Sequence, residues 1–387
     1  MTPLTRAALN RTTLARQLLL ERAPLGPLEA VRRLGLVQAQ EPASMHLSLW
    51  SRLTDLDLAD VDDALRSGAL VRGSSARLTL HVVAAEDRAW LHAAMLPALR
   101  ASRVHDRRYR DAGLVPADAD ALVPGLLAFC AEPRTRDEVE AWIAATAPAL
   151  DAAWAWWALR SQAGLVHAPA ADEPWCFGAR VRHLAPADAD PTLDPTEGTD
   201  AHLDAVGRLV LRYLAAFGPA SAQDVGQATM LRQRVLSPAV ARLDDALVTR
   251  RDEDGRTLLD VPDAPVVDGD VPAPPRLLPM WDSTLLAYAD RGRVLPEPVR
   301  KVVIRANGDT LPTFTVDGHV AGLWRAVDAG VELHAFGPLQ DAAWDGLEAE
   351  ALTLHRAVSP RDPAPYHRYR RWWDRLPAGG TTRVVAA

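Results

Sequence analysis

The sequence contains very little lysine and very little cysteine. Lys301 is the only lysine among 43 basic residues, so arginine carries nearly all the positive charge. Two cysteines, Cys130 and Cys176, are too few for an iron–sulfur cluster or a four-cysteine zinc site, and they are typical of buried residues in a reducing compartment. No apolar run reaches the ~18 residues of a membrane span, and the first residues lack the apolar core of a signal peptide. We therefore expect a cytoplasmic protein.

The common cofactor and metal motifs are also missing. The sequence has no P-loop and no glycine-rich dinucleotide motif after a strand. His167, His183, His202 and His334 are not spaced as metal ligands. The aspartates in residues 55–63 lack the glycine and terminal glutamate of a calcium loop. We expect neither a cofactor nor a bound metal ion.

Length and charge limit the class of protein. A chain of 387 residues is expected to form two to four compact units. Its 48% hydrophobic and 24% charged residues are ordinary for a globular protein. The net charge of −7 argues mildly against nucleic-acid binding, but net charge does not describe local patches. An arginine-lined groove on an acidic body therefore remains compatible with the composition.

One pattern, three helices followed by a short hairpin, recurs three times and indicates winged helix-turn-helix domains. We place the first, with a following helix, at residues 1–117, the second at 118–199 and the third at 200–262. A linker rich in Pro and Asp then leads to a predicted small β-barrel at 275–345 and a C-terminal helical tail at 346–387. The predicted fold class is α+β, with three tandem winged helix-turn-helix domains, a β-barrel and a C-terminal helix.

Several boundaries within these units are specific enough to be tested. The second hairpin is predicted to pair strands at 165–167 and 175–177. Ser237-Pro238 resembles a helix N-cap followed by proline, so the third helix of the last repeat is expected to begin there. A strand is predicted at 302–304, next to Lys301.

Two glutamines stand in an extended segment early in the chain. Gly35 occupies the place of a helix C′ glycine, and Pro42 biases Glu41 toward an extended conformation. Residues two apart in an extended chain point to the same side, so Gln38 and Gln40 are expected to present two uncharged carboxamides side by side. Two amides that simply satisfy nearby backbone groups are the alternative interpretation.

The chain resembles the AlkZ/YcaQ family of bacterial DNA glycosylases, which are often labelled winged-helix DNA-binding proteins. The resemblance depends on three sequence motifs taken together. The first is Gln38-Ala39-Gln40 within LVQAQEP, and the second is RLTLH at 77–81. The third is LLPMWD at 277–282, continuing through LLAYADR to the later VDG and GLWR segments. The resemblance covers most of the chain and implies tandem winged helices followed by a β-barrel. Trp281 departs from the smaller aromatic residue expected there.

The resemblance also implies an activity. The YcaQ branch carries an acid in place of the second glutamine, so Gln40 indicates the AlkZ branch. That branch is associated with excision of bulky N7-alkylguanines and unhooking of interstrand crosslinks formed by DNA-alkylating natural products, as alkylation repair or antibiotic self-resistance. The implied partner is double-stranded DNA carrying alkyl lesions.

The chemistry suits two glutamines as the catalytic residues. Alkylation at N7 gives guanine a positive charge and makes it a good leaving group, so no strong acid is required. Placing a water molecule and steadying an oxocarbenium-like sugar can be done by carboxamide dipoles. We expect Gln40 to hold the water and Gln38 to orient it or stabilise the sugar, with the reverse assignment equally open.

Other residues are candidates for DNA contact, each with a structural alternative such as a surface wing strand, an ion-pair network or a satisfied buried histidine. They are Arg77, Thr79, His81, His46, Tyr288, Asp290, Arg291 and Arg325. The aromatic and basic run at 366–375 either packs its aromatic residues on the body or contacts phosphate with support from stacking.

A lyase reaction requires an amine that forms a Schiff base, and Lys301 and the N-terminus are the only amines available. We expect Lys301 to be a solvent-facing structural residue and not a nucleophile. We therefore expect a monofunctional glycosylase without lyase activity, acting as a monomer. Two alternatives are a non-enzymatic winged-helix DNA-binding transcriptional regulator and a protein-interaction scaffold. The segment 238–243 carries little besides Arg242 to contact bases, which weakens the regulator hypothesis.

Overall fold

The computed structural model describes residues 2–376 and 379–386. Its N-terminal part consists of helices that pack around a small set of strands. These elements are α1 (Arg6–Arg16), α2 (Pro27–Leu34), β1 (Val37–Gln38), α3 (Pro42–Trp50), α4 (Leu58–Arg66), β2 (Leu70–Ser74), β3 (Leu80–Ala84) and the long α5 (Ala85–Val104). Gly35 ends α2 with a φ of 78°, a positive value that glycine adopts at little cost because it has no Cβ.

The next part contributes both helices and strands to the same sheet. Its elements are α6 (Arg107–Asp111), α7 (Pro116–Phe129), β4 (Arg134–Thr135), α8 (Arg136–Thr146), α9 (Ala152–Gln162), β5 (Val166–Ala168) and β6 (Arg182–Leu184). The sheet has the order β1-β3-β2-β5-β6-β4, so β5 joins the two parts by pairing with β2. The predicted strand at 175–177 is wrong. Cys176 has a φ of 61° and is buried, which prevents regular strand pairing there.

The third part comprises α10 (Asp200–Phe217), α11 (Ala222–Thr229), α12 (Gln233–Ala241) and the hairpin β7 (Val248–Arg251) and β8 (Thr257–Asp260). Helix α11 begins with a capping box between Ser221 and Asp224. The predicted start of α12 at Ser237-Pro238 is wrong, because the helix begins at Gln233 and contains Pro238. The apolar residues Val235 and Leu236 precede the proline and are buried, so their packing extends the helix in the N-terminal direction.

The last part is an open sheet with flanking helices. Its elements are β9 (Arg276–Leu278), α13 (Glu297–Val303), β10 (Thr313–Val316), β11 (His319–Val327), β12 (Gly330–Ala335), α14 (Asp341–Val358) and β13 (Thr381–Ala386). The strand order is β13-β12-β11-β10-β9, and within the described ranges the edge strands β9 and β13 are not paired with each other. The predicted barrel is therefore not closed. Helix α14 packs against the sheet and buries Trp344 and Leu347 with its strands.

Two further predictions in this part are wrong. Residues 302–304 do not form a strand, since proline in the first turn starts α13 and carries the chain as a helix to Val303. The C-terminal tail is not wholly helical either. A 3₁₀ helix at His367–Arg375 is followed by β13, whose backbone pairs along β12.

Helix α1 holds the distant parts of the chain together. The side-chain amide of Asn10 donates to the carbonyl oxygens of Arg293 at 2.7 Å and Gly318 at 2.9 Å. Arg16 pairs with the buried Asp260 at 2.7 Å. These contacts join both the third part and the last part of the chain to α1. Among the described helices, none is long and apolar enough to cross a bilayer.

Candidate functional site

Strand pairing determines which way the two glutamines point. Val37 lies opposite Val82 and Gln38 lies opposite His81, and the Ala39 amide continues the pairing by donating to the Leu80 carbonyl at 2.8 Å. Alternation therefore sends Val37, Ala39 and Val82 into one core, where all three are buried. Gln38, Gln40 and His81 belong to the opposite face of this ribbon.

Gln38 is almost enclosed. Its side chain is 4% exposed and lines a small cavity of about 20 Å³, which we call the glutamine cavity, together with Arg77, His81 and Leu286. Its backbone amide donates to Ser283 Oγ at 3.2 Å, and that hydroxyl donates to the Leu36 carbonyl. The carboxamide has no hydrogen-bond partner among the described residues. A space of this size accommodates about one water molecule.

Gln40, in contrast, is exposed at the edge of a large cleft. Its Oε1 accepts a long hydrogen bond from the Leu80 amide at 3.5 Å. The cleft has a volume of about 780 Å³ and is lined by Gln40, Thr79, Arg103, Arg136, Arg160 and Arg180, with Asp137, His167 and His183. We call it the arginine cleft. The two carboxamides therefore share a face but open onto different spaces, which spacing alone did not reveal.

Arg72 supports the glutamine segment from behind. Its Nε donates to the Ala39 carbonyl at 2.9 Å and its Nη2 to the Gln40 carbonyl at 3.4 Å, while its Nη1 lies 2.7 Å from His167 Nδ1. Burial lowers the pKa of Arg72 to about 10, so it stays charged at neutral pH. Burial also lowers the pKa of His167 well below its ordinary value, so Nδ1 of the neutral ring accepts from Arg72.

His81 is a neutral neighbour of Gln38. Burial lowers its pKa to about 4, and its Nδ1 lies 3.2 Å from the Thr79 carbonyl. A carbonyl can only accept, so Nδ1 carries the proton and Nε2 is left as an acceptor. His81 thus lines the glutamine cavity without adding positive charge.

Arg77 also lines the glutamine cavity. Arg77 has a φ of 57° and donates to the Leu286 carbonyl at 3.0 Å. Burial, and then repulsion from Arg291, lowers the pKa of Arg77 to about 10. Within the described ranges neither guanidinium is paired with a carboxylate. A guanidinium group without a carboxylate partner favours an anion such as phosphate. Gln38, Arg77 and His81 are thus brought together at the glutamine cavity, and Thr79 joins Gln40 in the arginine cleft.

Arg291 and the four remaining candidates line neither of these spaces. Tyr288 is 2% exposed, and its hydroxyl donates to the Phe217 carbonyl at 2.7 Å. Asp290 lines a separate cavity of about 520 Å³ next to Arg256. Arg325 pairs with Glu332 at 2.8 Å.

His46 belongs to a buried cluster with Asp62 and Cys176. Its Nε2 lies 2.8 Å from Asp62 Oδ1, and the Cys176 thiol donates to the same oxygen at 3.1 Å. These donor atoms are close enough for a metal ion. However, Arg361 donates to both Asp62 oxygens, at 2.9 and 2.6 Å. Its positive charge and these two hydrogen bonds favour a structural ion pair over a metal site. Burial lowers the pKa of His46, while the bonds of its ring nitrogens to Asp62 and to the Pro42 carbonyl oppose that shift.

Sequence reasoning missed Arg72 and the four cleft arginines. Arg72 interrupts an apolar strand, opposite Val82 and His167, and an arginine in such a position requires buried acceptors. Arg103, Arg136, Arg160 and Arg180 lie on α5, α8, α9 and the loop before β6, so only the fold brings them together.

Two comparisons with known proteins gave a match. A family model described as "DNA glycosylase AlkZ-like" matches residues 31–357. The structure is similar to that of the Streptomyces sahachiroi DNA glycosylase AlkZ, with a TM-score of 0.78 and 21% sequence identity, covering 92% of this chain and 98% of the other. At that identity, the likeness shows a shared fold. A comparison with curated proteins gave no match.

Proposed function

The chain belongs to the AlkZ-like DNA glycosylase family, and on that premise we propose that it is a monofunctional glycosylase for bulky or crosslinked N7-alkylguanine in DNA. One observation carries the proposal: Gln40 stands exposed at the edge of a cleft whose walls hold four arginines. The repeated order of helices followed by an antiparallel strand pair supports three winged helix-turn-helix domains at 1–117, 118–199 and 200–262.

The arginine cleft suits the DNA backbone. Arg160 and Arg180 are exposed and, among the described residues, neither is paired with a carboxylate, whereas Arg136 pairs with Glu140 at 2.6 Å. Desolvation and repulsion from Arg136 lower the pKa of Arg160, so bringing an anion into the cleft relieves unfavourable electrostatics. Most contacts between proteins and DNA go to phosphate and sugar, and arginine binds phosphate with two parallel hydrogen bonds.

The proposed reaction relies on the substrate's own charge. As the bond between C1′ and N9 breaks, the electron pair goes to the base, which leaves as neutral N7-alkylguanine. Positive charge develops on the sugar, and a water molecule adds to C1′ and loses a proton to solvent. Gln40 Oε1 is accessible from the cleft and is proposed to accept a hydrogen bond from that water. Because glutamine is a poor general base, only adducts that are already labile are expected to react.

Gln38 and its neighbours are proposed to stabilise the sugar side of the reaction. Because Gln38 is almost enclosed, its carboxamide is proposed to act on the developing positive charge as a nearby fixed dipole and not by direct contact. The neutral state of His81 avoids repulsion of that charge. Arg77 and Arg291 are proposed to bind phosphate of the damaged strand.

The absence of lyase activity is part of the proposal. Lys301 is exposed on α13, and it is the only lysine in the sequence. An intact abasic site is therefore the expected product, since no other lysine can form a Schiff base.

Replacing both glutamines tests the proposal. The Q38A/Q40A variant is expected to lose excision of N7-alkylguanine by at least ~100-fold, as for other losses of transition-state dipoles. Its affinity for undamaged duplex should be unchanged. Excision is measured as alkali-labile breaks in end-labelled alkylated DNA. Wild-type-like excision by the double variant would refute the assignment, whereas binding to DNA without any excision by the wild-type protein would favour a regulator.

A further inference from the structure

A basic segment near the C-terminus lies outside both spaces described above. Residues His367–Arg375 form a 3₁₀ helix whose aromatic side faces the protein. Tyr369 is buried, and Trp372 and Trp373 pack on the apolar cluster that contains Trp281. The arginines face the other way and are exposed. We call them the basic strip: Arg368, Arg370, Arg371 and Arg375.

The basic strip begins beside the glutamine segment. Arg368 pairs with Glu41, the residue that follows Gln40, and the Tyr369 hydroxyl donates to the same carboxylate at 3.1 Å. The Tyr366 hydroxyl lies 3.0 Å from Ser44 Oγ on α3. Tyr369 also packs edge-on against Trp281, with ring centroids 5.5 Å apart. The segment is therefore anchored at several points, one of which, Glu41, adjoins Gln40 in the chain.

The charge of the strip is not balanced locally. The helix carries four arginines and one aspartate, Asp374, although the whole chain has a net charge of −7. Arg368 and Arg371 have carboxylate partners in Glu41 and Asp309. Arg370 and Arg375 have none in the described part of the chain. Gathering like charges on a surface disfavours the folded state unless an anion offsets the repulsion.

The tryptophans of this segment are already covered. The guanidinium groups of Arg305, Arg371 and Arg375 lie 5.0, 5.1 and 5.3 Å from the centre of the Trp372 ring. Its indole nitrogen donates to Asp309 at 2.8 Å. Arg325 lies 5.4 Å from the Trp373 ring. These rings hold arginines in place and are not free to stack on bases, which favours contact with phosphate over contact with bases.

We propose that the basic strip is a second DNA contact, which binds the phosphate backbone of the duplex on the Glu41 side of Gln40 while the arginine cleft binds it on the other. This inference takes DNA as the binding partner from the proposed function. The strip adds affinity and orientation without touching the reacting atoms. Arginines on a preorganised helix lose less side-chain freedom on binding, which suits them to this task.

The test compares two pairs of arginine substitutions that remove the same charge. R370A/R375A removes the two unpaired arginines of the strip. R33A/R356A removes two exposed arginines on α2 and α14, neither of which is paired with a carboxylate in the described ranges. Binding of an undamaged duplex is measured by fluorescence anisotropy from 50 to 200 mM salt. Two lost phosphate contacts should reduce the salt slope by about 1.8, so R370A/R375A should lose about tenfold less affinity over that range than the wild type.

The control pair should keep both the wild-type slope and the wild-type rate of single-turnover excision. An unchanged slope for R370A/R375A, or an equal change in the control, would overturn the proposal. R370Q/R375Q repeats the measurement should the alanine variant unfold at a lower temperature. The readout uses undamaged DNA, so a failure of the Q38A/Q40A test would remove the catalytic assignment and leave this contact standing.

Discussion

Arg72 donates its Nε hydrogen to the Ala39 carbonyl at 2.9 Å, and the same guanidinium reaches the Gln40 carbonyl. The backbone of the glutamine segment is therefore held by a buried charge for which no carboxylate partner is found among the described residues. Two edges of one planar group reach neighbouring carbonyls here, and lysine cannot reproduce that geometry.

We expect R72K to reduce single-turnover excision by about 10- to 100-fold, because Gln40 loses its fixed position while remaining present. Duplex affinity should change by less than about threefold. The loss of buried hydrogen bonds should also lower the free energy of unfolding by about 1–3 kcal/mol. R33K, at an exposed arginine of α2, is the matched control. If R72K excises the base at the wild-type rate, the hydrogen bonds from Arg72 to the glutamine segment have only a structural role.

Replacing Gln40 with glutamate introduces a general base at the edge of the cleft. We expect Q40E to retain excision and to acquire a pH dependence. Its rate should rise about tenfold per pH unit below the glutamate pKa of about 4.3 and level off above it. The wild-type rate should stay flat between pH 6 and 8, since the amides do not titrate. A flat profile for Q40E over pH 3.5–6 would argue against a water molecule at this position.

The arginine cleft should dominate the salt dependence of binding on its side of the site. R160A/R180A is expected to reduce the salt slope by about 1.8, as two lost phosphate contacts would. R33A/R356A, which removes the same amount of charge, is again the control. Slopes are measured on undamaged duplex by anisotropy. If R160A/R180A and the control give the same slope as the wild type, the cleft does not bind the backbone.

Burial of neutral His81 should make the fold sensitive to acid. Its pKa is lowered to about 4 in the folded protein, so the unfolded chain binds more protons between pH 4 and about 6.5. Stability should therefore fall as the pH drops through this window, by about 2 kcal/mol from this residue between pH 7 and 5. Between pH 7 and 5, the free energy of unfolding of H81Q should therefore fall by about 2 kcal/mol less than that of the wild type. Urea unfolding at both pH values measures the difference, and equal losses in both proteins would contradict this account.

The absence of a lyase step has a direct chemical test. Borohydride added during excision should trap no covalent adduct between protein and DNA, because the proposed product is an intact abasic site. K301A should release the base at the wild-type rate. A trapped adduct that disappears in K301A would show instead that the lysine on α13 reaches the sugar.

Local signals predicted the glutamine segment well. Gly35 adopts the positive φ of a helix C′ residue, and the chain after it pairs in an extended conformation with β3. Alternation gave Gln38 and Gln40 a common face. It could not show that Leu286 and Ser283, far along the chain, close over Gln38 while Gln40 stays open. Exposure depends on tertiary contacts between distant segments, and spacing carries no information about them.

The failures elsewhere have similar causes. The β-branched residues at 302–304 favour a strand. However, Pro298 lies in the first turn of a helix, and Val303 at the end of that helix is buried in the core. Barrel closure requires a pairing between the first and last strands that no local pattern specifies. Tyr288 and His46 were chosen as polar residues near recognisable motifs, whereas the fold uses them as satisfied groups of the interior.

The open edge at Gln40 has a consequence for selectivity. On the proposed function, a substituent attached to the guanine need not be enclosed, because a space of about 780 Å³ continues from this glutamine to solvent. Such a site does not measure the size or shape of the attached group. Discrimination then depends on how readily each modified base departs, so chemically unrelated adducts of equal lability should be removed at similar rates.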